Sequence, residues 1–334
     1  MSQVIETTNP MQTAVQTLYQ PIEHELAVAE RRLADELHNQ HPFVDELLRY
    51  GGQLGGKRLR PALLLLVAKS LGTVTDEHIT LAAVVEMIHT ATLVHDDVLD
   101  EANTRRHLAT VNARWNNETS VLLGDFLFSQ AFYMAATLSS SYGCRRIGQS
   151  TNIVCEGELK QIASRGQHDL TEAAYFDIIN GKTAELCACA THLGAYFASP
   201  DPQQVTRLEQ YGRSLGMAFQ IADDLLDLLG DEAKTGKSLG SDLEKQKPTL
   251  PVIFTYQQLS AAERSEFVRL LESDSKNRHQ QIVQAVEASG GFAYARTTAE
   301  KFAEQAATQL DQVEPSDCRD VLQSLCHFVV ARSV

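Results

Sequence analysis

Residues 77–100 read EHITLAAVVEMIHTATLVHDDVLD, and this stretch decides the fold class. Its apolar residues Ile79, Ala82, Ala83, Met87, Ala91, Leu93 and Val94 recur at steps of three and four, as on a helix with a buried face. Similar segments run over roughly 15–37, 120–138, 147–164, 172–197 and 202–229. Cap residues mark helix starts at Thr75-Asp76-Glu77 and Ser199-Pro200-Asp201-Pro202. Alternating runs rich in Val, Ile and Thr are missing, so no sheet is expected. The pattern is that of an all-α chain. It is expected to form one domain over 1–334, with about twelve disordered residues at the start and shorter, more polar helices after Leu259.

The stretch ends on Asp96-Asp97-Val98-Leu99-Asp100, and a second apolar helix ends on Asp223-Asp224-Leu225-Leu226-Asp227. On a helix, positions i and i+4 share a face, so the outer carboxylates of each cluster point the same way. Like charges held so close need something positive between them. Carboxylates are hard ligands, and Mg²⁺ takes one or two of them together with phosphate oxygens and water. A single solvated acidic helix end would be unremarkable. A chain of this composition, however, carries about 0.06 DDxxD matches by chance, and a pair arises at about 0.002. Two clusters therefore point to metal and diphosphate.

Cationic residues could meet that diphosphate directly. Gly55-Gly56-Lys57-Arg58-Leu59-Arg60-Pro61 places three charges on a glycine-rich helix start. Arg105 and Arg106 follow Asp100 by little more than a turn, and Gly181-Lys182-Thr183 interrupts an apolar helix. Gln220 shares a helical face with Asp223 and Asp224. The unpatterned loop 230–248 adds Lys237 and Lys247, placed to close over a phosphate.

The global numbers set limits. The chain has 334 residues, with 29 Lys and Arg against 43 Asp and Glu, for a net charge of −14. Such an acidic surface argues against nucleic acid as a partner. The longest apolar run, residues 62–68, is too short to span a bilayer, and the first residues show no secretory pattern. Six cysteines without a CxxC pair do not form a disulfide framework, and Cys187 and Cys189 read as buried apolar residues. A cytoplasmic protein is expected.

GGKRLRP, HDDVLDEANTRR, GKTAEL, FQIADDLLD and GKSLGSDLEKQKPTLP together resemble the signatures of the trans-isoprenyl (polyprenyl) diphosphate synthases. IHTATLVHDD, GDFLF and EGELKQ resemble its long-chain bacterial branch, octaprenyl diphosphate synthases in particular. The resemblance implies an isoprenoid-synthase-type helical bundle around a central cavity, and a homodimer. It implies Mg²⁺, three ions per site, on Asp96, Asp100 and Asp223, with Asp97, Asp224 and Lys182 also catalytic. Isopentenyl diphosphate would meet Lys57, Arg60, His89 and Arg106. The allylic diphosphate would meet Arg105, Lys182, Thr183, Gln220 and Lys237. Two positions depart from the family pattern, which has glycine where this chain has His107 and Gln246.

The implied reaction joins isopentenyl diphosphate head-to-tail to an allylic primer, farnesyl or geranylgeranyl diphosphate. The expected product is an all-trans polyprenyl diphosphate of about C40, a quinone side-chain precursor. The small Ala91 and Thr92, a turn before Asp96, leave the chain room to grow, and Phe132, Tyr133 and Met134 are candidates for its floor. Competing readings are a shorter-chain synthase, a class I terpene cyclase and a non-catalytic subunit. A cyclase needs no second diphosphate pocket, and a silent subunit tends to lose one Asp cluster.

Overall fold

The computed structural model describes residues 18–230 and 240–331. The first residues, the beginning of the expected 15–37 helix and Lys237 lie outside them. Helix α1 (Glu23–Glu36) follows a short 3-10 turn, Gln20–Ile22, built at Pro21, which has no N–H for an α-helical bond. There follow α2 (Pro42–Gln53), α3 (Leu59–Leu71) and α4 (Asp76–Leu99). Next come α5 (Val111–Arg114), α6 (Asn117–Ala136), α7 (Tyr142–Ala163), α8 (Glu172–Ile179), α9 (Glu185–Ala198) and α10 (Pro202–Leu229). The C-terminal part comprises α11 (Ser241–Glu244), α12 (Leu250–Gln258), α13 (Ala261–Leu271), α14 (Arg278–Ser289), α15 (Gly291–Thr308) and α16 (Asp317–Ala331).

The bundle is organised around helices that are apolar on every side. In α3, each residue from Pro61 to Ala68 is buried, because α4, α9 and α16 all pack against it. Helix α4 begins where its capping residues predict, with the Thr75 N–H donating to His78 Nδ1 at 2.9 Å. Helix α10 begins at Asp201, whose carboxylate accepts from the Gln203 N–H at 2.9 Å, with Pro202 as the first helical residue. Both helices end on their Asp cluster. Helix α10 also joins the two buried clusters of the fold: Leu208, Tyr211 and Leu215 belong to one, and Ile221, Leu225 and Leu228 to the other.

Two local features differ from expectation. The anticipated 172–197 helix is broken by a π-turn at Asn180–Ala184, which separates α8 from α9. Strands β1 (Thr104–Arg105) and β2 (Leu108–Ala109) form a two-stranded antiparallel hairpin, although no sheet was expected. Its turn residues Arg106 and His107 have φ of 51° and 66°. Positive φ at both central positions is the backbone of a tight hairpin turn, usually marked by Asn-Gly. Arg-His gives no such signal.

Candidate active site

The three aspartates at the end of α4 have three different surroundings. Asp97 is buried and held by Arg105, whose Nε lies 3.0 and 3.1 Å from its two oxygens and whose Nη2 lies 2.8 Å from Oδ1. Burial pushes the Asp97 carboxyl up, and Arg105 offsets part of that rise. The pair ties the hairpin, and so Arg106, to the end of α4. Asp100 faces Arg165 Nη2 through Oδ1 at 3.0 Å, and Lys245 and Lys247 through Oδ2, each at 3.0 Å. Burial works against its charge, yet the two lysines hold its carboxyl below the usual range. Among the described residues Asp96 has one ion-pair partner, Lys182 at 3.8 Å, and burial beside Glu158 and Asp100 pushes it up to about 6. Of the three, Asp96 is the carboxylate most in need of a cation.

The π-turn brings Lys182 and Thr183 between the two clusters. A π-turn inserts one residue into the helical ladder and turns the side chains that follow it. Gly157 of α7 makes this possible: a Cβ there would lie 2.5 Å from the Lys182 backbone nitrogen. The Lys182 ammonium pairs with Glu158 and donates to Gln161 Oε1 at 2.7 Å. Thr183 Oγ1 donates to Gln220 Oε1 at 2.7 Å, and Gln220 Nε2 donates to Asp224 Oδ1 at 2.8 Å. Tyr175 OH closes the chain on Asp224 Oδ2 at 2.7 Å. Burial, with Asp242 nearby, drives the Asp224 carboxyl well above its ordinary range. Asp223 is half-buried beside it. Asp227 is occupied elsewhere, accepting from Ser241 Oγ at 2.8 Å and from the Ser241 and Asp242 N–H groups at 3.2 and 3.1 Å. It caps α11 and returns the chain to α10 after residues 231–239. A cavity of about 80 Å³ lies between these parts, lined among others by Tyr175, Lys182, Thr183, Gln220, Asp224 and Lys247.

The glycine-rich start of α3 builds a separate, cationic part. Arg58 takes a left-handed φ of 54°, and its guanidinium pairs with buried Glu86 at 2.7 Å and with Glu30 at 3.1 Å. Gly55 leaves room for that guanidinium and Gly56 for that of Arg106, since a Cβ would lie 2.0 and 2.2 Å from their nitrogens. Arg106 Nη1 donates to the Leu54 carbonyl at 2.9 Å. Arg60 Nε, by contrast, is buried and has no hydrogen-bond partner among the described residues. His89 lies beneath these groups. Burial, then Arg60, Arg106, Arg105 and Arg58 in turn, drives its imidazole well below the ordinary value, so it is neutral. Several guanidiniums around a neutral imidazole, one with an orphan N–H, form a pocket for an anion. Lys57 stands exposed at its edge.

The residues singled out in the sequence thus fall into two groups. Asp96, Asp97, Asp100, Lys182, Thr183, Gln220, Asp223 and Asp224 stand at the helix ends, while Arg60, His89 and Arg106 cluster beside them. Arg105 serves Asp97 directly, and Lys237 is outside the described residues. Ala91 is fully buried in the core, Thr92 is half-buried, and Phe132 packs against the core. Tyr133 is 66% exposed, which removes it as an interior floor, whereas Met134 is buried. Glu158, Gln161, Arg165, Tyr175 and Lys245 were not anticipated. Lys245 lies two residues from a lysine that was, and Glu158 and Gln161 lie within the EGELKQ signature without a role having been assigned to them, whereas Arg165 and Tyr175 give no local signal.

An all-helical bundle with a doubled aspartate site beside a cationic pocket defines a class of enzyme that handles diphosphate esters. The polyprenyl synthetase family model matches residues 41–288, and the chain belongs to that family. It is 35% identical over 310 residues to octaprenyl diphosphate synthase from Escherichia coli, covering 92% of this chain and 96% of the relative. A decaprenyl diphosphate synthase structure from Rhodobacter capsulatus superposes with a TM-score of 0.90 at 33% identity, covering 96% and 99% of the two chains. A polyprenyl synthase from Caulobacter crescentus, in complex with calcium and isoprenyl diphosphate, gives 0.90 at 32% identity, covering 96% and 98%.

Proposed function

We propose that this protein is a long-chain trans-prenyltransferase that condenses isopentenyl diphosphate with an allylic diphosphate, giving an all-trans product of about C40. The observation that carries this reading is the pair of distinct anion-binding regions: two Asp clusters around Lys182, and the pocket of Arg60, Arg106 and His89. A terpene cyclase has no use for the second. The relatives named above, octaprenyl and decaprenyl synthases, support a long product.

Among the described residues, no three Asp, Glu, His or Cys side chains come together tightly enough to enclose a metal. That donor set suits Mg²⁺, which takes one or two carboxylates and completes its shell with substrate phosphate and water. Both clusters also lie at helix C-termini, where the helix dipole adds negative potential. Asp96 and Asp100 from α4 and Asp223 from α10 would hold the ions, three per site. Bound there, they would neutralise the leaving diphosphate and favour ionisation of the allylic C–O bond.

The side chains perform the remaining work. Lys182 supplies a fixed ammonium at the cluster end, held by Glu158 and Gln161. The oxygens of Thr183 and Gln220 stand beside it, where developing positive charge on the allylic carbon would be stabilised. Arg60, Arg106 and Lys57 hold the isopentenyl diphosphate, which orients its double bond toward that carbon. His89, lying among these guanidiniums, can donate to the same phosphate. The proton lost at the end passes to the released diphosphate, so no strong side-chain base is required.

The chain is read as one domain, since α10 supplies both buried clusters. A homodimer is proposed through α6 and α7, where Leu122, Tyr133 and Leu159 are 68%, 66% and 66% exposed. A cytoplasmic location fits, and among the described residues no helix is long and apolar enough to cross a membrane. The decisive assay incubates the purified protein with Mg²⁺, labelled isopentenyl diphosphate and farnesyl diphosphate. Chromatography should show products near C40. No incorporation would overturn the enzyme reading, and C20 alone would overturn the long-chain one.

A further inference from the structure

A buried ionic network runs behind the π-turn, away from both diphosphate regions. Arg146 of α7 donates from Nη1 to Glu185 Oε1 at 2.8 Å and from Nη2 to Glu209 Oε1 at 2.9 Å. Ser150 Oγ donates to the same Glu185 oxygen at 2.8 Å. From α10, Arg213 donates through Nη1 to Asn180 Oδ1 at 2.9 Å and through Nη2 to Glu185 Oε2 at 2.9 Å. Glu185 is 1% exposed.

Arg213 Nη2 also donates to Glu209 Oε1 at 3.2 Å, and its other two partners are the two ends of the π-turn. The Glu185 N–H donates to the Asn180 carbonyl, closing the wide turn across five residues. One guanidinium therefore repeats, through side chains, the link that the backbone makes. Between those two anchors stand Lys182 and Thr183. A wide turn inside a helix is intrinsically unfavourable and persists only when its surroundings over-determine it. A planar fork whose nitrogens have a fixed separation is suited to hold two acceptors at one spacing, which a lysine cannot do.

We propose that Arg213 is a positioning residue: by bridging Asn180 and Glu185 it fixes the π-turn and so the placement of Lys182 and Thr183 at the allylic diphosphate. It touches no reacting atom. The inference rests on the reading of the site given above, and it predicts an effect on one substrate only. The isopentenyl pocket is built from α3, α4 and the hairpin, which the network does not touch.

The test compares the full-length wild type with Asn180→Ala, Asn180→Asp and Arg213→Lys. Asn180→Ala removes one end of the bridge and leaves the Glu185 pairs in place, so it is the variant least prone to misfold. Amide hydrogen exchange over residues 180–185 reads the turn itself. Calorimetry with an unreactive allylic thiolodiphosphate, and separately with isopentenyl diphosphate, reads the consequence, each with Mg²⁺. Asn180→Ala and Arg213→Lys should speed exchange of the Glu185 amide and weaken allylic analogue binding by about tenfold. Isopentenyl diphosphate binding should stay within twofold of wild type, and Asn180→Asp, which keeps the acceptor, should behave as wild type. Unchanged exchange at Glu185, or equal losses for both diphosphates, would overturn the proposal. If the wild type bound neither diphosphate, the functional reading would fail, and hydrogen exchange would still decide whether Arg213 holds the turn.

Discussion

The Lys247 ammonium lies 3.0 Å from Asp100 Oδ2, and Lys245 reaches the same oxygen at the same distance. Gln246 between them has a φ of 53°, and that left-handed residue sits where two lysines two positions apart turn to one carboxylate. With Arg165 on the other oxygen, Asp100 meets three cations. A divalent ion bound at Asp100 must compete with them. Lys245→Gln removes one competitor and leaves two, so it should lower the Mg²⁺ concentration for half-maximal activity severalfold, equivalent to about 1 kcal/mol. A magnesium titration of initial rate checks this; a raised requirement would show that Lys245 serves the substrate instead.

The hairpin turn offers a test that does not depend on activity. His107 is exposed, has a φ of 66°, and occupies a position where the family pattern has glycine. A side chain in the left-handed region costs about 1–2 kcal/mol, and glycine returns part of that through its greater unfolded-state entropy. His107→Gly should therefore stabilise the protein by about 0.5–1 kcal/mol, seen as a higher urea midpoint with an unchanged slope. A lower midpoint would mean that the imidazole makes a contact worth more than the strain.

What could be read in the sequence is what is local. The helical period of 79–94 and the spacing within each Asp cluster depend on neighbours a few residues apart, and both appear where the pattern puts them. The interruption at Gly181-Lys182-Thr183 was legible, but its form as a π-turn over Asn180–Ala184 was not, because the residues packed and bonded against it, Gly157 and Arg213, lie on other helices. Spacing put Asp227 on the same face as Asp223, but Ser241 takes up its carboxylate, and nothing local marked Arg105 as the partner of Asp97. Glu158 and Arg165 carry nothing in their surroundings that names Lys182 or Asp100 as partners. Long-range ion pairing is not written in local pattern.

The same network behind the π-turn has a measurable acid dependence. Burial alone would raise the Glu209 carboxyl, but His192, Arg146 and Arg213 outweigh it and lower its value to about 2 from 4.5. A depressed carboxylate stabilises the fold above its unfolded value, and that contribution is lost as pH falls through the folded value. Glu209→Gln should thus cost about 1–3 kcal/mol at pH 7, with the deficit shrinking between pH 4.5 and 2. Denaturant titrations of both proteins across that range check it. A deficit independent of pH would assign the loss to packing instead of charge.

Chain length should respond to α4 one turn before Asp96. Ala91 is fully buried there and Thr92 is half-buried, its hydroxyl donating to the His89 carbonyl at 2.7 Å. Neither side chain is large enough to obstruct a growing prenyl chain. Ala91→Phe adds an aromatic ring to a closed core, so it should destabilise the fold by about 1–3 kcal/mol as well as fill space near the mouth. Thr92→Phe starts from a half-buried position and should be better tolerated. With a farnesyl primer, both variants should shift products toward C20 while isopentenyl incorporation continues, as measured by chromatography of the dephosphorylated products. If both left the product distribution unchanged while folding normally, the chain would have to grow away from this face of α4.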